Sequence, residues 1–224
     1  MRSLQRVPFI LDAVTGRSVL HLGCTNYPYT EDSIKAGTFL HSKIADAARE
    51  VYGFDSDERG IELLKSKGYE NLFLADLENL GNIELDQTFD VIVAGEMIEH
   101  LLNPGLFLRG VKRFLRDDSV MILTTPNAYS VFRFLIYTVS GKRGVNEPVH
   151  PDHVAYYSFK TLSRSLDLAG YEIDDFCFYD IGTEHRPTNR WIYNVVNDIS
   201  VALFPQLSDG VIAVCRKRNE AHSM

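Results

Sequence analysis

Five short apolar runs, alternating with longer amphipathic stretches, constrain this chain more than any other feature. SVLHL (Ser18–Leu22), EVYGFD (Glu50–Asp55), NLFLAD (Asn71–Asp76), FDVIVA (Phe89–Ala94) and SVMILTT (Ser119–Thr125) have the length and composition of strands. The fourth is apolar throughout, as a strand covered on both faces must be. Helical pattern fills Ile34–Glu50, Asp57–Lys67 (stopped by Gly68) and Pro104–Leu115, the last with Asn103 as its cap and Pro104 in its first turn. Further helices are expected over Asn127–Ser140, Phe159–Ala169 and within TNRWIYNVVNDISVALFPQ, and two final strands over Tyr171–Asp180 and Gly210–Arg216. Strand-helix alternation of this kind predicts a doubly wound, mostly parallel α/β sheet with helices on both faces. The terminal strands, joined without an alternating helix of the same kind, predict an antiparallel pair at one edge. In open sheets of this class ligands bind outside the carboxyl ends of the strands.

Those ends carry Gly23, Asp55 and Asp76. A carboxylate closing the second strand can accept both hydrogen bonds of a ribose diol, and one closing the third can accept from an adenine amine. A glycine after the first strand lets the backbone approach a ligand where a Cβ would intrude. Either Asp could instead cap the helix that follows it. A dinucleotide site would need G-x-G-x-x-G after the first strand. The turn here is GCTNYPYTED, with one glycine and an acidic pair, Glu31-Asp32, that would repel pyrophosphate. It suits a ligand with positive charge, such as the sulfonium and ammonium of S-adenosylmethionine.

The series VLHLGC, VYGFDSD, LFLADLENL, FDVIVAGEMIEHLLNPGLFL and VMILTTPN resembles the ordered motifs of class I S-adenosylmethionine-dependent methyltransferases, in their ubiquinone-biosynthesis-like branch of small-molecule and glycan enzymes. The resemblance covers about 18–127 and continues more weakly through HPDHVAYYSFKTLSRSLDLAGYEI. It implies a Rossmann-like sheet of seven strands with the last inserted antiparallel, and a single methyltransferase domain over 1–224. Within it, about 18–127 would bind cofactor and about 128–209 would face the acceptor. Leu22, Gly23 and Cys24 would lie against the methionyl part of the cofactor, and Asp55 with Ser56 would hold the ribose. Asp76 and the Leu77 amide would meet adenine, and Ala94, Gly95 and Glu96 would floor the methyl donor. The chain departs from the family at His21, where an acid is usual, and within TNYPYT, which replaces the second and third glycines. His21 either contacts the cofactor carboxylate or is a packed, hydrogen-bonded histidine.

Methyl transfer to oxygen requires alignment of the acceptor and removal of a proton. Histidine suits that task because its pKa lies near neutrality. His150 and His153, in VHPDH, are the candidate bases, with Asp152 as an orienting partner; alternatively the loop is only pinned to the body. Three ligands packed into four residues chelate poorly, so no metal site is predicted. Glu99-His100 reads as structural. His41 and His185 are isolated in sequence, and Arg186 or Arg190 would suit an anionic acceptor. The apolar face of 189–204, with Trp191, Val195, Ile199 and Ala202, is expected to pack on the sheet, or else to cover the acceptor pocket or pair two copies as a homodimer; a membrane-surface helix would want more Lys and Arg on its polar side.

A net charge of -7 argues against general nucleic-acid binding. Three scattered cysteines form no disulfide or zinc pattern. The N-terminal stretch lacks a sustained apolar region and a cleavage site, and no run approaches the ~20 apolar residues of a membrane span. A cytoplasmic location is expected. The function so indicated is O-methylation of a small molecule or carbohydrate; the alternative is a cofactor-binding interaction domain without turnover.

Overall fold

The computed structural model describes residues 3–140, 151–182 and 186–218. Its strands are β1 (Ser3–Leu4), β2 (Ser18–Leu22), β3 (Glu50–Asp55), β4 (Leu72–Leu74), β5 (Phe89–Gly95), β6 (Leu115–Pro126), β7 (Tyr171–Tyr179) and β8 (Gly210–Lys217). They form one sheet in the order β1-β7-β8-β6-β5-β2-β3-β4. Among the described residues there are therefore eight strands, not the expected seven. The additional one is the two-residue β1, paired parallel with β7. Two residues are too few to show a period, so only the pairing reveals them. β8 runs antiparallel between β6 and β7, and the other pairs are parallel.

The helices are α1 (Arg6–Val14), α2 (Thr30–Lys35), α3 (Leu40–Ala47), α4 (Glu58–Ser66), α5 (Pro104–Val111), α6 (Val131–Ser140), α7 (Phe159–Leu168) and α8 (Trp191–Leu203). The single helix expected over Ile34–Glu50 is two. Gly37 adopts a φ of 66°, which L side chains rarely tolerate, and ends α2 before α3 begins. Asp57 caps α4, accepting from the Gly60 amide at 3.0 Å. Asn103 precedes α5 but does not cap it with its side chain, which donates to Glu78 Oε2 at 2.7 Å.

Alternate residues of the central strands enter two separate cores. Leu20, Leu22, Ile92 and Leu123 pack with Phe107 of α5 and Leu162 and Leu166 of α7. Val19, Val91, Val93 and Ile122 pack with Ile10 and Val14 of α1 and Ile44 of α3. α7 opens on a capping box, in which the Ser158 and Thr161 side chains each accept from the other's amide. Ser158→Ala is expected to cost about 1 kcal/mol, measured as a shift of the denaturation midpoint at constant slope.

The expected burial of the Trp191-Val195-Ile199 face does not occur. Trp191 is 73% exposed and Ile199 58%. α8 instead buries Tyr193, Asn197 and Val201, one residue per turn, with Tyr193 in a small cluster beside Phe132 of α6 and Ile181. Asn197 reaches inward because its amide donates to Asp180 Oδ1 at 2.9 Å. Among the described residues no helix is long and apolar enough to cross a membrane.

Candidate active site

The sheet reverses its winding at β2, which lies between β3 and β5. Parallel register sets Leu22 beside Phe54 on one side and Ala94 on the other. The residues that follow, Gly23, Asp55 and Gly95, consequently meet at one edge, where a cavity of about 740 Å³ opens. Such a crevice at the switch point is the expected ligand position in an open α/β sheet.

Gly23 has a φ of 70°, and an added Cβ would approach Met97 Cβ to 3.1 Å. Its amide and that of Cys24 both donate to the Phe54 carbonyl, at 2.9 and 3.2 Å. Cys24 is buried beneath the turn, and burial pushes its thiol well above the ordinary range. Asp55 lines the cavity and organises the first turn. Its Oδ2 accepts from the Thr25 amide at 2.8 Å and the Thr25 hydroxyl at 2.9 Å, while Oδ1 accepts from the Asp57 amide at 3.0 Å. The Thr25 side chain fits against Gly60, where any added Cβ would come within 2.7 Å of it.

Of the remaining residues expected at the cofactor, Gly95 and Glu96 line the cavity, and Leu22 and Ala94 lie beneath it with fully buried side chains. Ser56, Asp76 and Leu77 are not among its lining residues. Asp57 is there in place of Ser56. Asp76 is exposed, its Oδ1 accepting from the Glu78 amide at 2.9 Å, and Leu77 is buried in the core. β4 is only three residues long and stops short of Asp76, which leaves that carboxylate in a local turn. The structure therefore brings one of the two aspartates, not both, to the cleft.

Glu96 sits at the end of β5 with a φ of 52°. Its carboxylate accepts from the Tyr179 hydroxyl at 2.5 Å and pairs with Arg6 at 3.4 Å. Arg133, also on the cavity wall, grips Asp209 through Nε and Nη2 at 2.8 and 3.0 Å.

The same cavity is lined by Glu99, His100, Asp152 and His153. The segment with His153 is fastened by backbone: the Val154 and Ala155 amides donate to the Glu99 carbonyl at 2.9 and 3.2 Å. The His153 and His100 rings meet edge to face with centroids 4.6 Å apart. His153 Nε2 lies 4.0 Å from Glu99 Oε1. Glu99 is 1% exposed, and its Oε2 accepts from the Thr125 hydroxyl at 2.9 Å. Burial, with the Glu96 carboxylate nearby, pushes its pKa up to about 8. Donor atoms of Glu99, His100 and His153 all lie within 4.8 Å of one another, close enough for a divalent ion to bridge. Sequence spacing concealed this trio, because Glu99-His100 and His153 are far apart in the chain; only an acid-histidine pair directly after a strand end hinted at it.

His150 and His185 lie outside the described residues. Arg186 is not at the cavity; it pairs with Asp180 at 2.8 Å and Asp198 at 2.7 Å. Arg190 lies over the Tyr193 ring, likewise away from it. His41 and His21 do line the cavity, with their Nδ1 atoms 3.1 Å apart.

An open sheet with a cleft at its switch point, an acid closing β3 and a glycine turn after β2 has the architecture of a Rossmann-like domain. The chain belongs to the methyltransferase domain family, whose model matches residues 5–175. Among curated relatives, it is 30% identical over 161 residues to a Mycolicibacterium smegmatis protein named "Probable S-adenosylmethionine-dependent methyltransferase", covering 71% of this chain and 54% of that one. It is 22% identical to the ubiquinone biosynthesis O-methyltransferase of Proteus mirabilis, over 71% of this chain and 66% of that protein. The chain thus spans about half the length of the mycobacterial relatives it matches, at 54% and 55%. In fold it resembles the magnesium protoporphyrin IX methyltransferase of Synechocystis, crystallised with S-adenosylhomocysteine. That likeness has a TM-score of 0.58 at 14% identity, covering 94% of this chain and 81% of that one.

Proposed function

We propose that the chain transfers the methyl group of S-adenosylmethionine to a hydroxyl oxygen of a small molecule or carbohydrate. The observation that carries this reading is that two sets of groups line one cavity: Gly23, Asp55 and Gly95 at the strand ends, which would meet the cofactor, and Glu99 with His153, which would take the acceptor's proton. Family membership and the named relatives support the cofactor.

In this reading Asp55 meets the ribose, with Gly95 and Glu96 under the methionyl end. The acceptor enters from the side of Pro126 and Asp152, which line the cavity there. In-line displacement moves the methyl carbon from sulfur to the acceptor oxygen, the S–C electron pair leaving with S-adenosylhomocysteine. The acceptor proton passes to His153, and Glu99 stabilises the imidazolium that forms once its own carboxyl ionises, which burial delays to about pH 8. Alignment and proton removal are the protein's contribution, because the sulfonium already activates the carbon.

The test is turnover with methyl-labelled cofactor across a panel of phenols, catechols and sugars. Labelled product, with S-adenosylhomocysteine released only when acceptor is present, supports the reading. Tight cofactor binding with no turnover on any acceptor would favour the interaction domain. The close donor set of Glu99, His100 and His153 favours one variant, in which a divalent ion lowers the acceptor's pKa. Loss of turnover in chelator and its return with added magnesium, manganese or zinc identifies that variant; full activity in chelator removes it.

A further inference from the structure

α8 presents one face that no described residue covers. At 3.6 residues per turn, Trp191, Ile192, Val195, Val196, Ile199 and Leu203 fall within a single arc of about 140°. All six are exposed, Leu203 by 68%, and the buried Tyr193, Asn197 and Val201 lie on the opposite side of the helix. None of the six lines the cavity, so neither cofactor nor acceptor accounts for them. Scaling their exposures by the roughly 150–250 Å² that a large side chain can bury gives on the order of 600 Å² of apolar surface. That reaches the top of the range of about 300–600 Å² for the largest patch on a monomer. It also supplies most of the roughly 800 Å² that each partner gives to a stable interface.

The face is also free of charge. Residues 191–204 contain no Lys, Arg or Glu, and their one acid, Asp198, pairs with Arg186 at 2.7 Å. Two copies of a chain with a net charge of -7 repel each other wherever charged surface meets charged surface. A two-fold contact puts the same patch on both sides, so a patch without charge is complementary to itself with no further matching. Aromatic and aliphatic side chains with charge depleted are the composition of a homodimer's interface core. A lipid surface fits less well. An interfacial helix carries Lys and Arg on its polar side to meet anionic headgroups, and here Asn194, Asp198 and Ser200 flank the face instead. From this geometry and charge we infer that the exposed face of α8 is the contact of a homodimer, in which two copies pack α8 against α8 about a two-fold axis.

Trp191 is the chain's single tryptophan and stands in this face, so its fluorescence reports the contact directly. Sedimentation equilibrium of the whole protein at micromolar concentration should give twice the 25.4 kDa of one chain. In that dimer Trp191 should emit to the blue and resist quenching by acrylamide. Ile199→Glu, in the middle of the face, should sediment as one chain, with red-shifted emission and free quenching, while Ile199→Met should still pair. Ile199 is exposed in the single chain, so the Glu variant should keep the parent's circular dichroism spectrum. A parent that sediments as one chain overturns the inference. So does a dimer that Ile199→Glu leaves intact, since its contact must then lie elsewhere. A single chain whose emission moves to the blue only on adding phosphatidylglycerol vesicles would make a membrane the occupant, and overturns it too. Should Ile199→Glu fail to fold, the parent still decides: a dimer in which acrylamide quenches Trp191 freely does not pair through this face.

Discussion

Replacing His153 by Ala, or Glu99 by Gln, is expected to lower kcat by about 10²-fold or more, the usual contribution of a positioned base. Cofactor affinity should stay unchanged, since in the proposed arrangement both side chains meet the acceptor and not the cofactor. The Glu99 carboxyl holds its proton to about pH 8 and stands 4.0 Å from His153 Nε2, so at neutral pH the pair already carries a proton. The pair accepts another more readily as pH rises, and kcat should climb toward pH 8. Glu99→Gln carries a separate signature in stability. Below the ordinary carboxyl pKa of 4.5 both folded and unfolded chains are protonated, and Glu99 is neutral to folding. As pH rises only the unfolded chain ionises, so stability falls until the folded carboxyl titrates near 8. By pH 7 the loss amounts to about 3 kcal/mol. Glu99→Gln should therefore be more stable than the parent at pH 7 and similar to it near pH 4, measured by denaturant unfolding in chelator. An offset that does not vary with pH would mean the carboxyl is not held protonated; unchanged turnover in both variants would remove this pair from catalysis.

Asp55→Ala should weaken S-adenosylhomocysteine binding by roughly 10- to 150-fold, the equivalent of roughly 1.5–3 kcal/mol for hydrogen bonds to a charged group. The carboxylate has two tasks: it ties down Thr25 and Asp57, and it faces the cavity. Thr25→Val separates them. Valine keeps the shape that fits against Gly60 but removes the hydroxyl that occupies Oδ2. If Asp55 receives the ribose diol, freeing that lone pair leaves affinity equal or improved. If Asp55 only braces the turn, Thr25→Val weakens binding alongside Asp55→Ala. Calorimetry on the two variants reads the outcome, and an unchanged dissociation constant in folded Asp55→Ala would exclude a cofactor role.

Much of the fold was legible in local pattern. The five runs SVLHL, EVYGFD, NLFLAD, FDVIVA and SVMILTT are strands, contain them or lie within them, because a buried parallel strand is largely apolar. Gly23 and Asp55 were legible for the same reason, since a strand's end in sequence is the sheet's edge in space. Asp76 was not, because β4 ends early and hydrogen bonding within its own turn captures the carboxylate. Nor was the rotation of α8, where counting apolar residues pointed outward side chains inward and the buried face instead carries Tyr193, Asn197 and Val201.

The amino-acid order alone determined the strand-helix alternation, the glycine turn and the acid after the second strand, since each depends on neighbours a few residues away. Tertiary structure alone decided which groups share the cavity. Glu99 meets His153 only because amides after β6 and its helix bind back to the Glu99 carbonyl, and His21 meets His41 only because α3 packs over β2. Those contacts are set by sheet register and backbone hydrogen bonds between distant segments, which no local period encodes.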